Sequence, residues 1–256
     1  MTARTAPAAL RAAGSGGRTG YIRRRRWDTI MRDENEMLIV EDLTLLMTDD
    51  RSGAVAGAGT LYYTLGGAVL VELGLGGHIR ADEDDKGLNG VRVHAVAGRA
   101  PSDPLLRAAH GKIGERVRGV QTLLIEIGTG AGKREAVLDR LVERGLLRRE
   151  TKRTLGLFRT TSTTVADTGY KKALLEQVRA VLVDGAEPDA RTAALVGLVS
   201  ASGTLPTLHR SVPWSGQVYE RAKELERSSW GAEAVNAAVM RTVAAVSAGA
   251  VVAATT

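Results

Sequence analysis

Leu38-Ile-Val-Glu-Asp-Leu-Thr-Leu-Leu46 is the stretch whose reading decides the fold. Its apolar residues run almost unbroken around an embedded Glu41-Asp42 pair. An acidic turn follows, Asp49-Asp-Arg-Ser-Gly53, and then a Gly/Ala-rich link. Beyond it, Leu65-Gly-Gly-Ala-Val-Leu-Val-Glu-Leu73 reads as part of a helix spanning Leu61 to Leu75. Gly66, Gly67 and Ala68 give that helix a face of small residues, which permits close approach of a second element. By themselves these features define a soluble helical domain.

Composition narrows the function classes. The 256 residues are 44% hydrophobic but only 4% aromatic, so Ala, Leu and Val must fill the core. The length suits one large domain or two small ones. There is no cysteine, which excludes disulfides and thiolate metal sites. His78, His94, His110 and His209 are scattered, with no pair at ligand spacing. Nothing points to a bound metal or cofactor.

The net charge of +6 is localised. Seven arginines (Arg4, Arg11, Arg18 and Arg23 to Arg26) and no acid lie in residues 1–27, which leaves residues 28–256 at −1. A near-neutral body disfavours nucleic acid, because affinity for a polyanion needs clustered cations. Residues 1–36 read as a disordered basic tail, too poor in apolar periodicity to fold. They lack the continuous apolar core of a signal peptide. Arg23-Arg-Arg-Arg-Trp27 is either a solvated tail or a contact for an anionic membrane surface. Met37 lies directly before the decisive stretch, which gives the expectation that translation starts there or at Met31. An intact mass that includes Arg23 to Arg26 would refute it.

From Met37 onward the chain reads as one mainly α domain. Gly76 to Val96 is expected to form short strands with an acidic tip at Asp82-Glu-Asp-Asp85. Pro101-Ser-Asp-Pro104 is a helix start, with Ser102 or Asp103 as cap. Helical patterns follow from Leu105 to Val117 and from Val120 to Ile127. Another helix is expected from about Lys133 to Arg144, closed by Gly145. Leu155-Gly-Leu-Phe-Arg-Thr-Thr-Ser-Thr-Thr-Val165 reads as a β-hairpin. Helices are then expected at Lys171–Val183, Ala190–Ser200, Trp214–Arg227 and from Ala232 to about Ala254. The uncharged Thr242–Thr256 run is shorter than the ~20 residues a bilayer span needs.

Gly128-Thr-Gly-Ala-Gly-Lys133 follows an apolar segment and invites a nucleotide-loop reading. A phosphate loop needs Gly six residues before Lys and Ser or Thr directly after it; here stand Ile127 and Arg134. The segment still has anion-binding physics, with glycine N–H groups before a helix N-terminus and two cations, Lys133 and Arg134. A plain inter-helix turn with two solvated charges is an equal alternative. Lys133, Arg140 and Arg144 share one helical face, which would extend a basic patch. Arg134 to Arg149 with the hairpin also has the order of a winged helix, a DNA-binding reading opposed by the neutral body and an apolar preceding helix. No catalytic constellation emerges.

The order of these segments resembles the Golgi phosphoprotein 3 family. The resemblance is carried by Leu38 to Glu72, Asp103-Pro-Leu-Leu106, Leu141-Val-Glu-Arg-Gly-Leu146, Leu155-Gly-Leu-Phe158 with Thr160-Thr161, and the C-terminal Ala-rich segment. It implies a single helical domain around a central helix bundle, with one projecting β-hairpin. It implies a non-catalytic peripheral membrane protein of the cytoplasm, since eukaryotic members bind phosphatidylinositol 4-phosphate. The headgroup pocket there uses a Trp and an Arg ahead of the Leu-x-Glu-Leu helix, and two basic residues on the helix before Leu-Val-Glu. In this chain the second of those basic positions matches Arg134. The first matches Ala131, with Lys133 adjacent. The pocket Arg matches Gly66, and the Trp falls near Gly57 or Ala58, where Tyr62 or Tyr63 supplies an aromatic. The headgroup candidates are therefore Arg134, Lys133, Arg140 and Tyr63. The hairpin, through Leu157, Phe158 and Thr161, is implied to contact membrane or a second subunit in a homo-oligomer. The family's basic tails engage vesicle coat proteins, to which Arg23 to Arg26 correspond. The Ala/Gly/Arg-rich composition fits a bacterial member, for which another anionic phospholipid or a protein partner is the expected ligand.

Overall fold

Nine consecutive buried residues make α1 (Ile39–Met47) the axis of the fold. A helix apolar on every side has no solvent face to offer, so it must be enclosed. The computed structural model describes residues 36–154, 158–229 and 232, all within one compact unit. Around α1 pack α2 (Leu61–Leu75), α5 (Arg134–Glu143), α6 (Thr168–Leu182) and α7 (Ala190–Ala201). The remaining helices are α3 (Pro104–Gly114), α4 (Val120–Thr129) and α8 (Gly216–Arg227), with a short 3₁₀ turn at Leu205–Leu208. The fold among the described residues is mainly α, as the sequence pattern predicts.

The turn after α1 forms as read. The Asp49 carboxylate accepts from the Arg51 and Ser52 N–H groups and the Ser52 hydroxyl, at 3.1, 2.8 and 2.8 Å. Gly53 closes it with φ +66°. A Cβ at Gly53 would lie 1.3 Å from the Thr163 carbonyl oxygen, so this turn is seated directly against the second hairpin.

Two small sheets complete the molecule. β1 (Ile79–Gly87), β2 (Gly90–Ala95) and β3 (Arg118–Gly119) form one antiparallel sheet; β4 (Leu147–Thr154) and β5 (Phe158–Val165) form the other. The acidic tip predicted at Asp82–Asp85 is not a tip. Those residues lie within β1, where the register with β2 shifts between Asp82 and Lys86, and the turn is Leu88-Asn89. A bulge of this kind leaves residues unpaired along one strand, which an apolar/polar pattern does not reveal. The second hairpin starts at Leu147, earlier than the predicted Leu155, because β4 is a charged strand without apolar alternation. Leu157 of the predicted hairpin site lies outside the described residues, while Phe158 and Thr161 fall on β5, paired with Thr154 and Thr151. The tail of residues 1–35 and the predicted C-terminal helix beyond Ala232 also lie outside the described residues.

The α2/α4 crossing has the shape that the small-residue face of α2 predicts. A Cβ at Gly66 would sit 2.2 Å from the Leu124 carbonyl oxygen, and one at Gly128 would sit 1.8 Å from that of Tyr62. Backbone therefore meets backbone at both ends of the crossing, which fixes the position of the loop that leaves α4.

Candidate functional site

Charged groups buried around α1 decide which cations remain for a ligand. Glu41 is fully buried. One carboxylate oxygen accepts from the Leu38 N–H at 2.7 Å, and the other from Arg140 Nε at 2.8 Å and Arg144 Nε at 3.1 Å. Arg140 also reaches Asp103 at 2.8 Å. On the opposite side, Arg191 of α7 binds Asp42 at 2.8 Å and Glu72 at 3.3 Å, and it donates to the Met37 carbonyl. Tyr170 of α6 donates to the second Asp42 oxygen at 2.8 Å, and the Ile39 N–H donates to Glu72. Burial pushes the Asp42 carboxyl above its ordinary range, against the pull of Arg191, and burial likewise raises the Tyr170 phenol.

These contacts assign the motif acids. Glu41, Asp42 and the Glu72 of Leu-Val-Glu-Leu clamp the first turn of α1 to α2, α5, α6 and α7. They also correct one expectation. Lys133, Arg140 and Arg144 share a helix, but Arg140 and Arg144 turn inward onto Glu41 and extend no basic patch. Two guanidiniums spent on a buried carboxylate cannot bind a phosphate without leaving that carboxylate unpaired.

Asp103 has two duties. One carboxylate oxygen caps α3, accepting from the Leu105 and Leu106 N–H groups at 2.8 and 3.1 Å; the other pairs with Arg140. Asp103→Ala is therefore expected to destabilise the protein by about 2 kcal/mol, the upper end for loss of a cap. Urea denaturation measures this, and an unchanged midpoint would contradict the double role.

The α4–α5 loop remains. Gly132 N–H bonds back to the Ile127 carbonyl at 2.8 Å, and Lys133 N–H to the Gly130 carbonyl at 3.2 Å, which fold the loop over the end of α4. Gly132 is buried, and a Cβ there would meet Val69 at 3.2 Å. Lys133 is the N-cap residue of α5 and provides no side-chain cap. The N–H groups of the first turn, from Arg134 to Ala136, thus point away from the helix without an intrahelical acceptor. Lys133 and Arg134 are both exposed, and among the described residues neither has an ion-pair or side-chain hydrogen-bond partner. Glu135 is the acid of the same turn, where its charge is favoured by the helix dipole.

Tyr63 stands apart from this loop. It packs on Tyr62, ring centroids 4.2 Å apart, and lines a groove of about 450 Å³ with Asn89, Gln121, Thr122, Ile125 and Glu126. The link between the two places is the Tyr62 carbonyl pressed onto Gly128. The position matching the family's pocket Arg, Gly66, faces the Leu124 backbone and has no room for a side chain. A second cavity, of about 260 Å³, opens beside Arg191 and Tyr170, but its guanidinium is already committed to Asp42 and Glu72.

The winged-helix order is present as α4, α5, β4 and β5, with one face of each helix packed inward. α4 is sealed to α2 through backbone, and α5 buries Val137, Leu138 and Leu141 and pairs two arginines inward. Among the described residues no group of three or more His, Cys, Asp or Glu could hold a metal ion, and no helix is long and apolar enough to cross a membrane.

A mainly α domain built on an enclosed first helix, with an uncapped, doubly cationic start to α5, is the arrangement to which the family comparison speaks. The model of the Golgi phosphoprotein 3 (GPP34) family matches residues 39–242, and the chain belongs to that family. No curated protein matches it. The matched span begins at the first residue of α1 and takes in every helix described above.

Proposed function

We propose that this protein is a non-catalytic, peripherally membrane-associated protein of the cytoplasm that binds the phosphorylated headgroup of an anionic phospholipid at the start of α5. Phosphatidylinositol 4-phosphate is the headgroup that family membership favours. The observation that carries the reading is the exposed Lys133-Arg134 pair at an uncapped helix N-terminus, in a chain whose neighbouring arginines are paired inward. Arg134 would grip phosphate oxygens as a fork, Lys133 as a point charge, and the first-turn N–H groups would complete the cradle.

Two cations on one phosphate bind weakly. Each basic residue near an anionic surface contributes about 1 kcal/mol, so self-association through the β4–β5 hairpin, with Phe158 and Thr161, supplies the avidity. Nucleic acid is not the expected partner. The exclusion of a side chain at Gly66 favours a second reading, a protein scaffold on the same fold with a reduced pocket.

Vesicle co-sedimentation separates the two. Arg134→Ala is expected to weaken binding to phosphatidylcholine vesicles containing phosphatidylinositol 4-phosphate about tenfold at low salt, and Lys133→Ala roughly fivefold. Added salt should shrink both effects. Binding indifferent to Arg134, or absent from every anionic vesicle, sinks the headgroup reading and leaves the scaffold. Binding that fails to rise more steeply than protein concentration removes the avidity part alone.

A further inference from the structure

The groove beside Tyr63 is lined almost wholly by polar side chains. The Asn89 and Gln121 carboxamides, the Thr122 hydroxyl, the Glu126 carboxylate and the Tyr63 phenol enclose about 450 Å³, with Ile125 the one aliphatic member. That volume lies within the ~300–1,000 Å³ of small-ligand sites, but such sites are lined mainly by apolar groups. A polar lining matches a ligand that is itself rich in hydrogen-bonding groups.

The walls of the groove are held by backbone. A Cβ at Gly66 would lie 2.2 Å from the Leu124 carbonyl oxygen and one at Gly128 1.8 Å from that of Tyr62, which locks α2, with Tyr63, onto α4. Gln121 N–H donates to the Asn89 carbonyl at 3.0 Å, and a Cβ at Gly119 would lie 2.5 Å from the same oxygen. The lining side chains thus stand on a fixed frame, which lowers the ordering cost of binding.

Charge decides the class of ligand. No Lys or Arg lines the groove, so a phosphate or carboxylate meets no counter-charge there. Nor is the groove a cation site. Glu126 Oε2 is buried and lies 3.2 Å from Arg118 Nε. Arg118 Nη2 pairs in turn with Glu115 at 3.2 Å, and Glu115 with Lys112 at 2.8 Å. Acids and bases alternate along this chain and their charges cancel. With Oε2 turned to Arg118, Oε1 is the carboxylate oxygen left to the groove as an acceptor. The two carboxamides both donate and accept, as the hydroxyls of a polyol do. Tyr62 packs on Tyr63 with ring centroids 4.2 Å apart, so Tyr63 has one face to offer. One face suits the C–H side of a sugar ring, whereas a nucleobase is gripped best between two.

We infer that this groove binds a neutral hexopyranose, its C–H face on Tyr63 and its hydroxyls bonded by Asn89, Gln121, Thr122 and Glu126. The inference is independent of the headgroup reading, since it uses neither Lys133 nor Arg134.

Saturation-transfer difference NMR on the full chain tests it, with methyl glucoside, methyl galactoside, methyl mannoside and maltose as probes and adenosine as the nucleobase arm. At least one glycoside is expected to receive saturation at its ring C–H protons, with a Kd of about 1 mM. Asn89→Ala, at an exposed turn, is expected to weaken that binding about fivefold, the loss of one hydrogen bond. Tyr63→Leu should weaken it about tenfold. Urea midpoints of both variants separate a lost contact from a lost fold, and Asn89→Ala is expected to keep the wild-type midpoint. Phosphatidylcholine vesicles with and without glucosyl diacylglycerol then distinguish the source of the sugar. Asn89-dependent retention on the glycolipid vesicles assigns it to a lipid, and glycoside binding without such retention assigns it to a free saccharide. Saturation confined to adenosine, absent from every glycoside, or undiminished in both variants overturns the inference.

Discussion

Arg191→Met is expected to destabilise the protein by about 3 kcal/mol, the largest loss we anticipate from a single side chain outside the backbone crossings. The substitution roughly preserves the aliphatic stem but removes the guanidinium from Asp42 and Glu72, which are 3% and 2% exposed. Breaking a buried pair from one side typically costs about 3–5 kcal/mol, because the remaining charge stays uncompensated. The lower end applies here, since Arg191 is itself partly solvated and Tyr170 and the Ile39 N–H still serve the two carboxylates. For a domain of this size the loss lowers Tm by roughly 6–12 °C.

The pH dependence of that variant follows from the burial of Asp42. Asp42 has a folded pKa raised by burial above its unfolded value, even with Arg191 present. A carboxyl of this kind contributes stability that is whole below the unfolded pKa and is lost as pH rises through the folded one. Removing Arg191 takes away a lowering influence and raises the folded value further. The gap between wild type and Arg191→Met should therefore narrow as pH falls through the folded pKa of Asp42 toward its unfolded value, where the orphaned Asp42 carboxyl takes up a proton. A gap independent of pH would show that Arg191 acts by packing alone.

Gly66→Ala is the second large effect. Its methyl group would meet the Leu124 carbonyl at 2.2 Å, a contact with backbone rather than with a side chain that can swing away. Alanine improves helix propensity by about 1 kcal/mol, but parting α2 from α4 costs more, as overpacking by a single methyl runs to about 3 kcal/mol. A net loss of about 2 kcal/mol is expected in urea denaturation. Gly66→Arg, which would place the family's pocket arginine at its matching position, should fail to fold rather than gain affinity. A stable Gly66→Arg protein with tightened vesicle binding would contradict the helix crossing described here.

The fold was legible where local pattern and burial coincide. Leu38–Leu46 stood out as an apolar segment, which the structure shows to be the enclosed helix α1, and the α2 crossing announced itself through Gly66, Gly67 and Ala68. The duties of Glu41 and Asp42 were not legible, because their partners Arg140 and Arg191 lie 99 and 149 residues away. Helical spacing places Arg140 and Arg144 on the face of Lys133, but it is silent about what packs on that face. The true turn of the first hairpin was not legible, because a bulge in β1 moves it beyond the acidic run to Leu88-Asn89. Of the candidate site, Lys133 and Arg134 stand where an anion could meet them, Arg140 is spent on Glu41 and Asp103, and Tyr63 belongs to the groove along α4.

The measurement that bears most directly on the central claim is a ¹⁵N–¹H titration with soluble inositol 1,4-bisphosphate, the phosphatidylinositol 4-phosphate headgroup freed of its lipid. The largest shifts are expected at the amides of Gly132 to Ala136, and they should vanish in Arg134→Ala. Shifts concentrated at the Arg191 cavity, or a spectrum that ignores the ligand, would contradict a phosphate site at the start of α5.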